Sequence, residues 1–207
     1  MIENPSRSPV RERGGKVGKN MNELPVGLFD SGVGGLTVLR AMRACMPGES
    51  FLYLGDTARL PYGTKSRDTI ARYSLQVTAR LVERKIKLLV VACNTATAAA
   101  LPALRRAYPE IPVIGVVEPG AKAACAASRE GFLAVIGTES TIRGRAYDEA
   151  ILKLRPDARV IGLPCPLFVP LAEDGLVEGP LAEGIAARYL DRVFRVPRER
   201  GENIPDC

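Results

Sequence analysis

Short apolar runs alternate along this chain with stretches in which apolar side chains recur every three or four positions. The first runs are 26–29 and 51–54. Residues 87–92 read Lys-Leu-Leu-Val-Val-Ala, a continuous apolar stretch of the kind found in strands covered on both faces. Residues 113–117 and 132–136 have the same character, and 158–161 is a less apolar sixth run. Between the runs, Ile70, Tyr73, Val77 and Leu81 share a helical face behind a capping Ser66. Ile142, Ala146, Ala150 and Leu154 repeat at intervals of four, as do Leu181, Ile185 and Tyr189 after Pro180. Each stripe predicts a helix with that face turned to the core. Strand–helix alternation predicts an α/β fold with mainly parallel sheets. Pro119-Gly120, after the strand ending near Val117, marks the boundary between two units. The expected organisation is a disordered basic leader over 1–23, a first α/β domain over 24–118 and a second over 119–207.

Parallel sheets collect chemistry where strands end and helices begin, which singles out four junctions. After the first run comes Asp30-Ser31-Gly32-Val33-Gly34-Gly35. Its glycines allow a sharp turn with exposed N–H groups beside a helix start, a setting for a carboxylate or phosphate. Asp30 is placed to hold an ammonium, to orient a base or to cap the next helix. After the second run, residues 55–63 form a turn-rich loop in which Tyr62 offers a hydroxyl and Gly63 a close backbone approach. After the third run stands Cys93-Asn94-Thr95. A helix start there lowers a thiol pKa from about 8.5 toward neutrality, making Cys93 a nucleophile or base. A buried structural cysteine is the alternative. After the fifth run, Thr138 and Thr141 are hydroxyls that either cap a helix or meet a carboxylate. Glu173 is a further acid in a later loop.

Composition narrows the possibilities. The net charge is +6, and half of that excess sits in the first twenty residues, which carry five basic and two acidic side chains. Beyond them there is no basic stripe of the kind that binds nucleic acid. No apolar run is long enough to span a bilayer, and the N-terminus lacks the apolar core of a signal peptide. Met21 is an alternative start. The five cysteines are scattered, which points to a reduced, cytoplasmic chain. With no histidine and no C-x-x-C pair, the common zinc spacings and any Cys-His or Ser-His-Asp unit are excluded. The glycine loop is not a dinucleotide fingerprint, because Thr37 replaces its last glycine, and no Gly-Lys-Ser/Thr follows.

Taken together, the segments resemble the glutamate racemase family. The matching stretches are F-D-S-G-V-G-G-L-T-V at 29–38, G-D-T-A-R-L-P-Y-G at 55–63 and V-A-C-N-T-A-T-A-A-A-L-P-A-L-R at 91–105. Further matches are I-P-V-I-G-V-V-E-P-G at 111–120, I-G-T-E-S-T-I at 136–142 and C-P-L-F-V-P-L-A-E-D-G at 165–175. The resemblance implies two parallel-sheet α/β domains with the active site between them, and neither pyridoxal phosphate nor metal. It implies interconversion of L- and D-glutamate to supply peptidoglycan synthesis, by two cysteines on opposite faces of the α-carbon. By this similarity Cys93 is one of those bases. Asp30, Ser31, Tyr62, Gly63, Asn94 and Thr95 match substrate-binding positions, with Thr138, Thr141 and Glu173 as further candidates on the second-domain side. The partner is then a small molecule, glutamate, with neither nucleic acid nor membrane, and a homodimer is a candidate assembly.

The sequence also departs from the family pattern. The second cysteine of that family lies in a later Cys-Thr-His motif, which does not occur here, and Cys207 and Cys165 do not match it. The expectation is a second domain left incomplete and a 207-residue chain that racemises glutamate poorly or not at all. The competing readings are an aspartate racemase, a non-catalytic binding protein on the racemase scaffold and a nucleotide-binding module.

Overall fold

The computed structural model describes residues 23–207, so the expected leader lies, but for Glu23, outside the described residues. Four strands form one parallel sheet in the order β2-β1-β3-β4: β1 Val26–Asp30, β2 Phe51–Gly55, β3 Leu88–Val91 and β4 Val113–Gly115. β5 Phe132–Gly137 and β6 Arg159–Pro164 form a second parallel pair. Parallel neighbours need long crossover connections, and these carry α1 Leu36–Cys45, α2 Arg67–Glu83, α3 Asn94–Ala107 and α4 Val117–Ala127. After β5 come α5 Glu139–Arg143 and α6 Ala146–Leu154; after β6 come α7 Phe168–Glu173, α8 Pro180–Leu190 and α9 Arg195–Glu199. No helix among the described residues is long and apolar enough to cross a membrane.

The continuous apolar runs are explained by burial on both faces. Phe29, Leu89 and Val91 enter a core with Ile70, Val77 and Leu81 of α2 and Ala96, Ala100 and Leu104 of α3. Val26, Leu28 and Val90 point the other way, toward Val38, Leu39 and Met42 of α1. This is the two-residue alternation of a pleated strand, with both sides apolar. Gly27 admits Ile86, since a β-carbon there would stand 2.8 Å from its Cδ1. In the second sheet, Leu133 packs with Ala121 and Ile151, while Leu163 and Cys165 pack with Tyr189 and Val193.

The sequence expectations need three corrections. The fourth run ends as a strand at Gly115, because Val116 caps α4 and Val117 is already helical; Pro119 and Gly120 lie inside that helix. The four-residue repeat from Ile142 to Leu154 spans two helices. Arg145 adopts the left-handed region at φ 52°, which ends the α5 segment and redirects the chain into α6. Leu154 and Leu181 are 54% and 56% exposed, because they sit in the terminal turns of α6 and α8 rather than over a sheet. The cap at Ser66 is present, with its side chain accepting from the Thr69 N–H.

The last residues lie alongside β5. Asp206 N–H donates to the Phe132 carbonyl at 2.8 Å, and Ala134 N–H donates to the Cys207 carbonyl at 2.7 Å.

Candidate active site

The C-terminal tips of β1, β2 and β3 stand side by side, so Asp30, Gly55 and Cys93 follow from neighbouring strands. The Asp30 carboxylate is buried and accepts from the N–H groups of Gly32 at 3.2 Å and Gly35 at 3.0 Å. It thereby closes the glycine loop and holds the residue that caps α1. Tyr53, midway along β2, reaches under this loop and donates its hydroxyl to the Gly32 carbonyl at 3.2 Å. Burial pushes its phenol up to about 12, and the nearby Asp30 and Cys93 charges add to that.

Cys93 caps α3, and its Sγ accepts from the Ala96 N–H at 3.4 Å. The same thiol donates to Ser31 Oγ at 3.4 Å. Its helix-start position is as the sequence suggests, but the expected fall in pKa is not. Burial raises the thiol pKa, and repulsion from Asp30 raises it further. Hydrogen bonding with Ser31 and Ala96 acts in the opposite direction and is outweighed. The side chain is only 6% exposed, so desolvation dominates over the helix start.

The second loop is held from below. The buried Tyr62 donates its hydroxyl to Asp56, which also pairs with Arg59 at 2.7 Å. Arg59 in turn lies over the Tyr73 ring, 4.5 Å from its centre. The Tyr62 O–H is thus committed to Asp56, and burial followed by that hydrogen bond raises its pKa. Gly63 packs closely against Thr138: a β-carbon there would fall 2.6 Å from Thr138 Cβ.

Thr138 caps α5 at the tip of β5, and this is where the two sheets meet. Its Oγ1 lies 2.9 Å from Thr95 Oγ1 and 2.9 Å from Thr141 Oγ1, and the Thr95 and Thr141 hydroxyls are 3.2 Å apart. Beside them, Tyr147 of α6 donates to Asn94 Oδ1 at 2.7 Å. Glu173 at the end of α7 faces the glycine loop, with its Oε1 3.0 Å from where a β-carbon on Gly32 would stand. The structure joins the sequence-derived candidates in two groups, Cys93 with Ser31 beside Asp30, and Thr95 with Thr138, Thr141 and Gly63, with Asn94 bonded to Tyr147 and Glu173 facing Gly32, while the Tyr62 hydroxyl is turned to Asp56. Among the described residues no group of three or more His, Cys, Asp or Glu is placed to hold a metal ion.

A family model described as Asp/Glu/Hydantoin racemase matches residues 36–166. The chain belongs to that family. The glutamate racemase of Geobacter metallireducens is 55% identical over 165 residues, covering 80% of this chain and 61% of that protein. That of Aquifex aeolicus is 48% identical over 167 residues, covering 81% and 65%. Among solved structures, Francisella tularensis glutamate racemase in complex with D-glutamate superposes with a TM-score of 0.79 at 38% identity, over 84% of this chain and 65% of that one. The chain thus spans less than two thirds of the length of these relatives.

Two residues of this Asp/Glu/Hydantoin racemase family member take part in the site without having been singled out by sequence. Tyr53 supports the Asp30 loop, and Tyr147 holds Asn94. A tyrosine within an apolar strand or on a helix face reads as core, and only the loop or side chain that meets its hydroxyl distinguishes it.

Proposed function

We propose that this chain acts on glutamate as a cofactor-independent racemase, with Cys93 as the acid–base group on one face of the α-carbon. The observation that carries the reading is the Cys93 thiol at the start of α3, in contact with Ser31 and close to Asp30, within a chain of this family. Glutamate racemase is the name of the relatives at 48–55% identity, and D-glutamate is the ligand of a structural neighbour.

The chemistry follows from the site. An α-proton is a very weak acid, so its removal needs a base in a dry setting with fixed donors for the developing charge. Cys93 is buried, and the N–H groups at the start of α3 and the threonine hydroxyls supply such donors. The raised thiol pKa keeps Cys93 protonated until a cation is near. A substrate ammonium beside Asp30 offsets that carboxylate's repulsion and favours the thiolate. The thiolate then takes the α-proton and becomes a thiol, leaving a carbanion. Inversion requires a second proton from the opposite face. In this reading the domains divide near 118/119, in the first turn of α4, the chain works in the cytoplasm on a free amino acid, and D-glutamate feeds peptidoglycan synthesis.

The test is α-proton exchange in D2O, followed by NMR on L- and D-glutamate separately with the 207-residue chain. Cys93 serves one face, so one enantiomer should exchange its α-proton faster than either is inverted, and Cys93→Ala should abolish this. Aspartate run in parallel should exchange more slowly. Exchange that survives Cys93→Ala, or no exchange of either enantiomer by a folded chain, overturns the proposal.

A further inference from the structure

Tyr147 lies on α6, in the part of the chain built on the second sheet, yet its hydroxyl donates to Asn94 Oδ1 at the start of α3. Its ring reaches that point by crossing Gly120 in α4, where a β-carbon would stand 2.9 Å from the hydroxyl. Burial raises the phenol pKa, so the group remains a neutral donor. Asn94 is exposed, and adjoins both Cys93 and Thr95. A carboxamide has one acceptor atom and two N–H donors, and its two orientations present opposite patterns to a ligand. With Oδ1 occupied by Tyr147, Nδ2 forms no hydrogen bond among the described residues.

We propose that Tyr147 is a positioning residue that fixes the orientation of the Asn94 amide so that its N–H groups face an incoming carboxylate. The proposal rests on the glutamate reading and adds a source for its selectivity. A free amide accepts from a ligand carboxamide by flipping, whereas a locked one offers only donors. The site then favours a carboxylate over the isosteric amide. Gly120 is part of the device, because any side chain there displaces the phenol.

The experiment uses 15N-labelled 207-residue chain, with Tyr147→Phe and Gly120→Ala variants and Asn94→Asp to assign the side-chain amide resonances. Gly120→Ala keeps the hydroxyl but pushes it, and alanine suits a helix interior, so this variant folds even if Tyr147→Phe does not. Calorimetry gives the affinity of each chain for D-glutamate and for its α- and γ-monoamides. The Asn94 Nδ2 resonances should shift in both variants. The preference for glutamate over one of the monoamides should fall about tenfold, the scale of a hydrogen bond to a charged group. A purely structural role would weaken all three ligands equally. Unmoved Asn94 resonances, or wild-type binding with an unchanged preference in both variants, overturn the role of Tyr147 alone. A folded wild-type chain that binds none of the three overturns the glutamate reading together with it.

Discussion

The Cys93 thiol donates to the Ser31 hydroxyl at 3.4 Å, joining the loop after β1 to the tip of β3. This contact and the burial around it govern how the thiol responds to pH. Folding favours the neutral form, since the pKa is raised above that of an unfolded thiol. The corresponding stability is complete below about pH 8.5, the unfolded value, and is lost as pH rises through the higher folded value. Urea unfolding should therefore show a larger loss of stability from about pH 8 to about pH 10 in wild type than in Cys93→Ala. Tyr53 and Tyr62 titrate in both proteins, so the difference reports Cys93. At neutral pH, iodoacetamide should label exposed Cys45 and Cys207 ahead of Cys93; prior labelling of Cys93 contradicts the burial.

Ser74 and Thr78 lie one turn apart on the buried side of α2, fully enclosed, and their hydroxyls have no hydrogen-bond partner among the described residues. Burying an unpaired hydroxyl costs free energy. Replacing both partners of a hydrogen bond is often neutral, but here there is no partner to strand. Ser74→Ala and Thr78→Val should each stabilise the chain by about 1 kcal/mol in urea titrations. A loss of stability in either would mean that the hydroxyl is bonded to buried water.

Asp206 closes the end of the described chain onto the loop before β5. Its carboxylate accepts from the N–H groups of Arg129 at 2.7 Å, Glu130 at 2.8 Å and Phe132 at 3.2 Å, and from the Ser128 hydroxyl at 2.7 Å. The Glu130 amide, followed by the Ser128 hydroxyl, holds its pKa down at about 2. A depressed carboxylate pKa stabilises the fold above the unfolded value of about 3.9 and ceases to do so as pH falls toward 2. Hydrogen exchange at the Ala134 amide, which donates to the Cys207 carbonyl, should accelerate in that window. Asp206→Asn should give the same acceleration at neutral pH. Equal exchange in wild type and Asp206→Asn would detach this carboxylate from the anchoring of the segment.

Much of the architecture is legible in the chain because β1 and β3 are buried on both faces and so are written as unbroken apolar runs. The strand tips follow directly, and with them the neighbourhood of Asp30, Cys93 and Thr138. The break between α5 and α6 is not legible, since an arginine at φ 52° carries no sequence signal and the four-residue repeat continues across it. The direction of the Cys93 pKa shift is hidden for another reason. A helix start is local, whereas the desolvation that overrides it depends on how completely the loop from Ser31 and the body of α3 enclose the sulfur. Tyr53 and Tyr147 are invisible because their partners, Gly32 and Asn94, are 21 and 53 residues away.

The hydroxyls of Thr95, Thr138 and Thr141 form a closed triangle in which either member of each pair can donate. Such a circuit has two senses, clockwise and anticlockwise, and rotation of three light O–H bonds converts one into the other without moving a heavy atom. The three hydroxyls therefore satisfy one another. An anion arriving at Thr138, the least enclosed of the three, finds a proton that can be turned toward it, while the Thr95 and Thr141 hydroxyls stay bonded to each other. The polarity of the seam between the two sheets is thus adjustable with its heavy atoms in place.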